Sequence, residues 1–282
     1  MDRYRQGPQC TFGPVLTFDD VGDPDGRPVV FLHGTPDSRL ARHPDDSRAA
    51  AAGVRLLAVD RPGYGGSPPG PFLPRVTALL DELGLDRVAV VAWSAGARAG
   101  LELAASGRAS TLHLVGGLVP VEAYADPAVT AAAEHRVALI EMAEGLDAAE
   151  LAADVAPMLA PYPCDRALAL ELQAEVRPAA EQERLAAVPG ALDRMADSLV
   201  EAVRTGLAGV EADVVAQVRP WGLDLDAVVV PTTLWYGDDD FVTPLAFGRW
   251  YSERLPNAAL HVVAGGGHNL PITHWDLILA NV

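Results

Sequence analysis

One stretch constrains this chain more than any other. The small apolar and β-branched run Val88-Ala89-Val90-Val91-Ala92-Trp93 stops at a lone Ser94. Ala95, Gly96, Ala97 and an alanine-rich segment to Ser106 follow. That order reads as strand, sharp turn, helix. Such a turn lifts the serine hydroxyl clear of the backbone at the end of a sheet. It also sets helix N-terminal N–H groups beside the hydroxyl, where they stabilise developing negative charge. Small neighbours are required because the turn is tight and the helix packs close to its strand. The usual form of such a turn is Gly-x-Ser-x-Gly; here Ala92 replaces the first glycine. Alone, the string is weak, since a helix N-cap serine needs the same residue in the same place.

The rest of the chain sets the context. With 282 residues, half of them hydrophobic, there is enough for one large domain, with or without an insertion. The formal charge of −17 repels nucleic acid and anionic lipid, so neither is an expected partner. All 21 basic residues are arginine. The absence of lysine excludes Schiff-base and pyridoxal-phosphate enzymes, phosphate-loop lysines and Ser-Lys dyads. Cys10 and Cys164 stand outside any Cys-x-x-Cys pattern and read as free thiols of a reducing compartment. The N-terminus has no apolar signal region, and no apolar run approaches membrane-spanning length. A soluble, cytoplasmic protein is expected.

Strands are expected at Val15–Val21, Pro28–Leu32, Val54–Val59, Val88–Ala92, Leu112–Val115, Val228–Tyr236 and Leu260–Val263. Their apolar character is continuous rather than alternating, as in strands buried on both faces. Helices are expected at Ser38–Ala52, Pro74–Leu83, Ala95–Ser106 and Pro244–Leu255. Strand alternating with helix predicts a mostly parallel sheet covered on both sides. Between Val119 and Leu225 the alternation lapses. That stretch reads as amphipathic helices at Ala128–Glu144, Ala148–Ala156, Arg166–Val176, Ala179–Ala187 and Leu192–Val218, broken by prolines including Pro157. The expected division is therefore a core of residues 1–118 and 226–282 with a helical lid of residues 119–225 over the carboxyl ends of the strands.

Three more motifs sit at strand ends: His33-Gly34-Thr35-Pro36, Gly237-Asp238-Asp239-Asp240-Phe241-Val242-Thr243-Pro244, and Gly265-Gly266-Gly267-His268. A catalytic serine needs an imidazole to take its proton and a carboxylate to hold that imidazole in the right tautomer. Serine, acidic cluster and histidine occur here in that chain order, as in one class of serine hydrolase. Asp238 and Asp239 compete with Asp240 as solvated turn residues or caps. His113, in an expected buried strand, reads as a satisfied core histidine. No histidine shows metal-ligand spacing, and no metal site or cofactor is expected.

Together with the loop Asp60-Arg61-Pro62-Gly63-Tyr64-Gly65-Gly66-Ser67, these pieces resemble the α/β-hydrolase superfamily over almost the full length of the chain. The helical insertion falls where that family carries its cap. The resemblance implies Ser94 as nucleophile, His268 as base and Asp240 as orienting acid. It implies an oxyanion hole from the backbone N–H groups of Thr35 and Ala95. His33 and Trp93 are candidates for the substrate pocket, each with a structural alternative: His33 shaping the oxyanion loop, Trp93 packing. The leading expectation is a cofactor-independent serine hydrolase acting on a small, mostly apolar acyl substrate through an ester, thioester, lactone or related bond. Serine at position 94 argues against the carboxylate-nucleophile dehalogenases and epoxide hydrolases of the superfamily. A lyase or cyclase on the same scaffold, and a non-catalytic small-molecule binder, are the alternatives. The sequence leaves the oligomeric state open.

Overall fold

The computed structural model describes residues 16–159 and 165–282. Cys10, Val15 and Cys164 lie outside the described residues. Seven strands form one sheet: β1 (Phe18–Gly22), β2 (Arg27–Leu32), β3 (Val54–Val59), β4 (Val88–Trp93), β5 (Ala109–Val115), β6 (Thr232–Gly237) and β7 (Ala258–Val263). Their spatial order is β1-β3-β2-β4-β5-β6-β7. Only β1 runs antiparallel; every other pairing is parallel.

The strands alternate their side chains between two cores. Val30, Leu32, Val90, Ala92, Leu112 and Leu114 face one side, where α2 (Phe72–Glu82) and α3 (Ala97–Ala105) pack. Val29, Phe31, Val91 and Trp93 face the other, against Ala49 of α1 (Ser47–Ala51) and the C-terminal Trp275 and Ile278. Burial on both faces is why the central strands carry apolar residues at every position: all six residues of β4 are buried. The expected helix at Ser38–Ala52 is reduced to α1. Arg39 and Arg42 lie in the missing part and are drawn instead onto Asp19, Asp46 and Asp60.

From β2 the chain winds to β3 on one side, then returns to place β4 on the other side of β2. This reversal opens a crevice at the carboxyl ends of β2 and β4, the place where open α/β sheets bind ligands. Gly34 and Thr35 follow β2, and Ser94 follows β4.

Among the described residues of 116–231 there is no strand. The segment is helical: α4 (Pro127–Ala132), α5 (Glu134–Met142), α6 (Ala148–Leu159), α7 (Arg166–Val176), α8 (Ala179–Ala186), α9 (Ala191–Ala202) and α10 (Ala208–Gln217). Three expectations need correction. The segment 128–144 is interrupted at Ala133, whose φ of −138° leaves the helical region. The stretch 192–218 divides into α9 and α10 around Gly206, at φ 119°. Pro157 does not end its helix but lies inside α6, so close to the C-terminus that little of the hydrogen-bond ladder follows it.

Candidate active site

Ser94 is the only non-glycine with positive φ among the described residues, at 54°. The chain leaves β4, makes one tight turn at Ser94–Gly96 and enters α3. A Cβ on Gly96 would stand 2.6 Å from the Leu32 carbonyl oxygen, so only glycine lets the turn sit this close to β2. Ala92 is accommodated from the other side. Gly100 of α3 faces it, and a Cβ there would stand 2.6 Å from the Ala92 Cβ. The methyl lost from the helix makes room for the methyl gained in the strand. Gly100→Ala is therefore expected to lower stability by about 1–3 kcal/mol, the usual cost of overpacking. Adding Ala92→Gly should recover most of it, which denaturant melts read as a double-mutant cycle.

His268 brings Nε2 to 3.1 Å from the Ser94 hydroxyl oxygen, and its Nδ1 lies 2.9 Å from the Asp240 carboxylate. Its loop lies tight against its surroundings. A Cβ on Gly237 would stand 2.1 Å from the Gly266 carbonyl oxygen. Asp240 is held from several directions. Its Oδ1 accepts the backbone N–H groups of Val242 (2.8 Å) and Thr243 (2.9 Å), and its Oδ2 accepts the Thr243 hydroxyl at 2.6 Å. Burial alone would raise its pKa. The neighbouring His268 and the hydrogen bonds from His268 and Thr243 outweigh burial and hold the carboxyl below its usual value.

The three consecutive aspartates have three different positions. Asp238 accepts the Gly265 N–H at 2.7 Å, Asp239 pairs with Arg184 of α8, and Asp240 alone reaches His268. Of the three, only Asp240 is buried; Asp238 and Asp239 are exposed.

His33 and Trp93 are placed away from the pocket wall. His33 is fully buried. Its Nε2 accepts the Arg61 N–H at 3.0 Å, so its proton is on Nδ1, which donates to the Gly34 carbonyl at 2.7 Å. Burial first, and then the Arg61 charge, push its pKa well down, so it is a neutral brace for the loop 33–35. Trp93 donates its indole N–H to the His268 carbonyl at 2.9 Å and lies against the imidazole, with ring centres 5.3 Å apart. It supports the histidine from behind. His113 is buried as expected but not satisfied: its Nε2 has no partner, and burial lowers its pKa to about 4.

Gly34 lies directly against the serine; a Cβ there would stand 2.9 Å from the Ser94 Cβ. The backbone at Gly34 therefore flanks the Ser94 side chain.

Residues that the sequence did not single out hold this loop. Arg61 donates to the carbonyls of His33 (2.9 Å) and Gly34 (3.0 Å). Asp213 of α10 receives both ends of the Arg61 guanidinium at 2.8 and 2.6 Å, the Tyr64 hydroxyl at 2.5 Å, and the Thr35 hydroxyl. On the histidine side, the buried Glu181 of α8 accepts the Asn269 backbone N–H at 2.8 Å and its side-chain amide at 2.6 Å. Helices α8 and α10 are thus fastened to the loops that carry Thr35, Asp240 and His268. Asp213→Ala leaves Arg61 buried without its carboxylate. It is expected to cost about 3 kcal/mol of stability and to lower kcat more than it raises KM, because the loop at Thr35 loosens. Thermal melts and steady-state kinetics check both.

A cavity of about 470 Å³ opens beside Ala95, walled by Leu118, Trp221, Asp213 and Gln217 among others. Among the described residues, no group of three histidine, cysteine, aspartate or glutamate side chains is placed to hold a metal ion. No helix among them is long and apolar enough to cross a membrane.

A mostly parallel sheet with a helical segment between β5 and β6, and a serine, histidine and aspartate in hydrogen-bonded sequence at its carboxyl edge, define an α/β-hydrolase architecture. Residues 27–274 match the alpha/beta hydrolase fold family, and the chain belongs to it. It is 28% identical over 286 residues to the non-heme chloroperoxidase CPO-A1 of Kitasatospora aureofaciens, covering 95% of this chain and 94% of that one. Its fold is similar to the esterase RhEst1 from Rhodococcus sp. ECU1013 (TM-score 0.63, 19% identity, 94% and 92% covered). It is equally similar to the enol-lactonase from Burkholderia xenovorans LB400 (TM-score 0.63, 19% identity, 94% of both chains covered).

Proposed function

We propose that the protein is a cofactor-independent serine hydrolase of small acyl compounds, acting in the cytoplasm. One observation carries the reading: the unbroken relay from Ser94 Oγ through His268 to Asp240, at 3.1 and 2.9 Å. Both distances are within the reach that proton transfer requires.

In this reading His268 Nε2 takes the hydroxyl proton as Ser94 Oγ attacks the substrate carbonyl. Asp240 accepts the hydrogen bond from His268 Nδ1–H and stabilises the imidazolium. The oxyanion rests on the backbone N–H groups of Thr35 and Ala95; losing one such donor typically costs about 100- to 1000-fold in rate. Collapse of the intermediate expels the leaving group, which takes the proton from His268. Water, deprotonated by the same imidazole, then releases the acid and restores Ser94.

A cavity of about 470 Å³ suits a small substrate, and the names of the relatives, an esterase and an enol-lactonase among them, agree with acyl chemistry. The test is a fluorophosphonate probe, with the adduct located by peptide mass mapping, beside a screen of short-chain aryl esters. An adduct on Ser94 together with ester turnover is the expected result. An adduct without turnover of any ester points to a lyase or cyclase on the same scaffold. No adduct on Ser94 overturns the assignment.

A further inference from the structure

The peptide unit between His268 and Asn269 is gripped at both of its polar ends. Its carbonyl accepts the Trp93 indole N–H at 2.9 Å, and its N–H donates to the Glu181 carboxylate at 2.8 Å. In a planar trans peptide these two groups point to opposite sides, so the two bonds together fix the plane. Trp93 comes from β4, one residue before the serine, and Glu181 comes from α8. The imidazole, whose Nε2 lies 3.1 Å from Ser94 Oγ, hangs from the Cα at one end of this unit.

Glu181 is a buried carboxylate with no part in the proton relay itself. Its Oε1 takes a second hydrogen bond, from the Asn269 side-chain amide at 2.6 Å, and its Oε2 accepts from Arg184 at 2.9 Å. Arg184 also pairs with Asp239, the neighbour of Asp240. One helix turn of α8 therefore touches both the histidine loop and the acid loop. The chain makes way for the carboxylate: a Cβ on Gly267 would stand 1.7 Å from Glu181 Oε2. Gly267 does not have a positive φ, so its lack of a side chain serves this contact rather than a turn.

We propose that Glu181 is a positioning residue for the reaction: through Asn269 it fixes the peptide unit that carries the His268 imidazole, and so holds Nε2 within reach of Ser94. The proposal rests on the hydrolase reading for what the imidazole does, but the positioning itself is a property of the resting protein. Proton transfer depends steeply on this geometry, because a misplacement of about 1 Å can cost about 100-fold in rate. Glu181 and Trp93 act on one peptide from opposite sides, so the loss of either leaves it free to turn.

The test measures how fast a fluorophosphonate labels Ser94, beside the downfield proton resonance of His268 Nδ1–H in the resting protein, both at a temperature where every variant is folded. Glu181→Ala is expected to slow labelling by about 10- to 100-fold and to shift or broaden the resonance. Gly267→Ala should do the same with the carboxylate still present, because the added methyl displaces it. The double variant should be no slower than the slower single one, since both remove one contact. Glu181→Gln, which keeps an acceptor for both Asn269 donors, should restore most of the rate and the resonance. Labelling and resonance that stay at the wild-type values in Glu181→Ala, even with a lower Tm, mark Glu181 as a structural residue and overturn the proposal. So do losses that add in the double variant, or a Glu181→Gln protein as slow as Glu181→Ala. A wild-type protein that does not label at Ser94 overturns the hydrolase reading instead, and the His268 resonance then decides the positioning on its own.

Discussion

Ser94→Ala is expected to lower ester turnover by about a million-fold, the scale seen when a nucleophile is removed from such a relay, with Tm nearly unchanged. The two halves of this expectation have different causes. Activity falls because the oxygen 3.1 Å from His268 Nε2 is the only group there able to attack a carbonyl. Stability stays because the backbone at position 94, at φ 54°, is strained by a Cβ, which serine and alanine share. Ser94→Gly separates the two effects. It should be equally inactive yet modestly more stable. Relief of left-handed strain is worth about 1–2 kcal/mol, against about 0.5–1 kcal/mol of added freedom in the unfolded chain. Fluorophosphonate labelling, aryl-ester kinetics and thermal melts on the three proteins decide it. Residual turnover within 100-fold of wild type in the alanine variant excludes Ser94 as nucleophile.

Asp240→Asn is expected to cost about four orders of magnitude in kcat while leaving the fold intact. The hydrogen-bond pattern fixes how the new amide must sit. Oδ1 accepts the N–H groups of Val242 and Thr243, so that position has to remain an oxygen. The NH2 is then forced into the Oδ2 position, 2.9 Å from His268 Nδ1. There it donates to Nδ1, and the imidazole proton moves to Nε2. A histidine protonated on Nε2 cannot accept the Ser94 proton. Single-turnover kinetics with an activated ester, with the tautomer read from imidazole nitrogen NMR shifts, test this directly. Asp238→Asn and Asp239→Asn are the controls: neither carboxylate touches the imidazole, so each should retain turnover within an order of magnitude. If Asp239→Asn is as damaging as Asp240→Asn, the assignment of the acid is wrong.

Much of the frame and of the site was legible along the chain, and for local reasons. The strand before Ser94 announces itself because burial on both faces demands apolar side chains at every step. The turn announces itself because a close approach to β2 demands Gly96. His268 is marked by the glycines before it: Gly265 takes a φ of 67°, and a Cβ on Gly267 would stand 1.7 Å from the Glu181 carboxylate. The segment between β5 and β6 was legible as helical but not in detail. Gly206 and Ala133 interrupt stretches whose composition favours helix, and Pro157 fails to interrupt one.

Sequence by itself determined the class of fold and marked out Ser94, His268 and the loops that carry them as candidates, since each follows from what a short run of backbone requires. Tertiary structure alone decided which of Asp238, Asp239 and Asp240 turns inward, and that His33 and Trp93 brace the site from behind. It also showed that Gly100 makes room for Ala92, that Asp213 lines the cavity, and that Arg136 reaches Gln217. Those are contacts between groups far apart in the chain: 152 residues separate Arg61 from Asp213, and 81 separate Arg136 from Gln217. A charge at such a position looks, in a linear reading, like any solvated helix face; only packing removes the water and gives it a partner or denies it one.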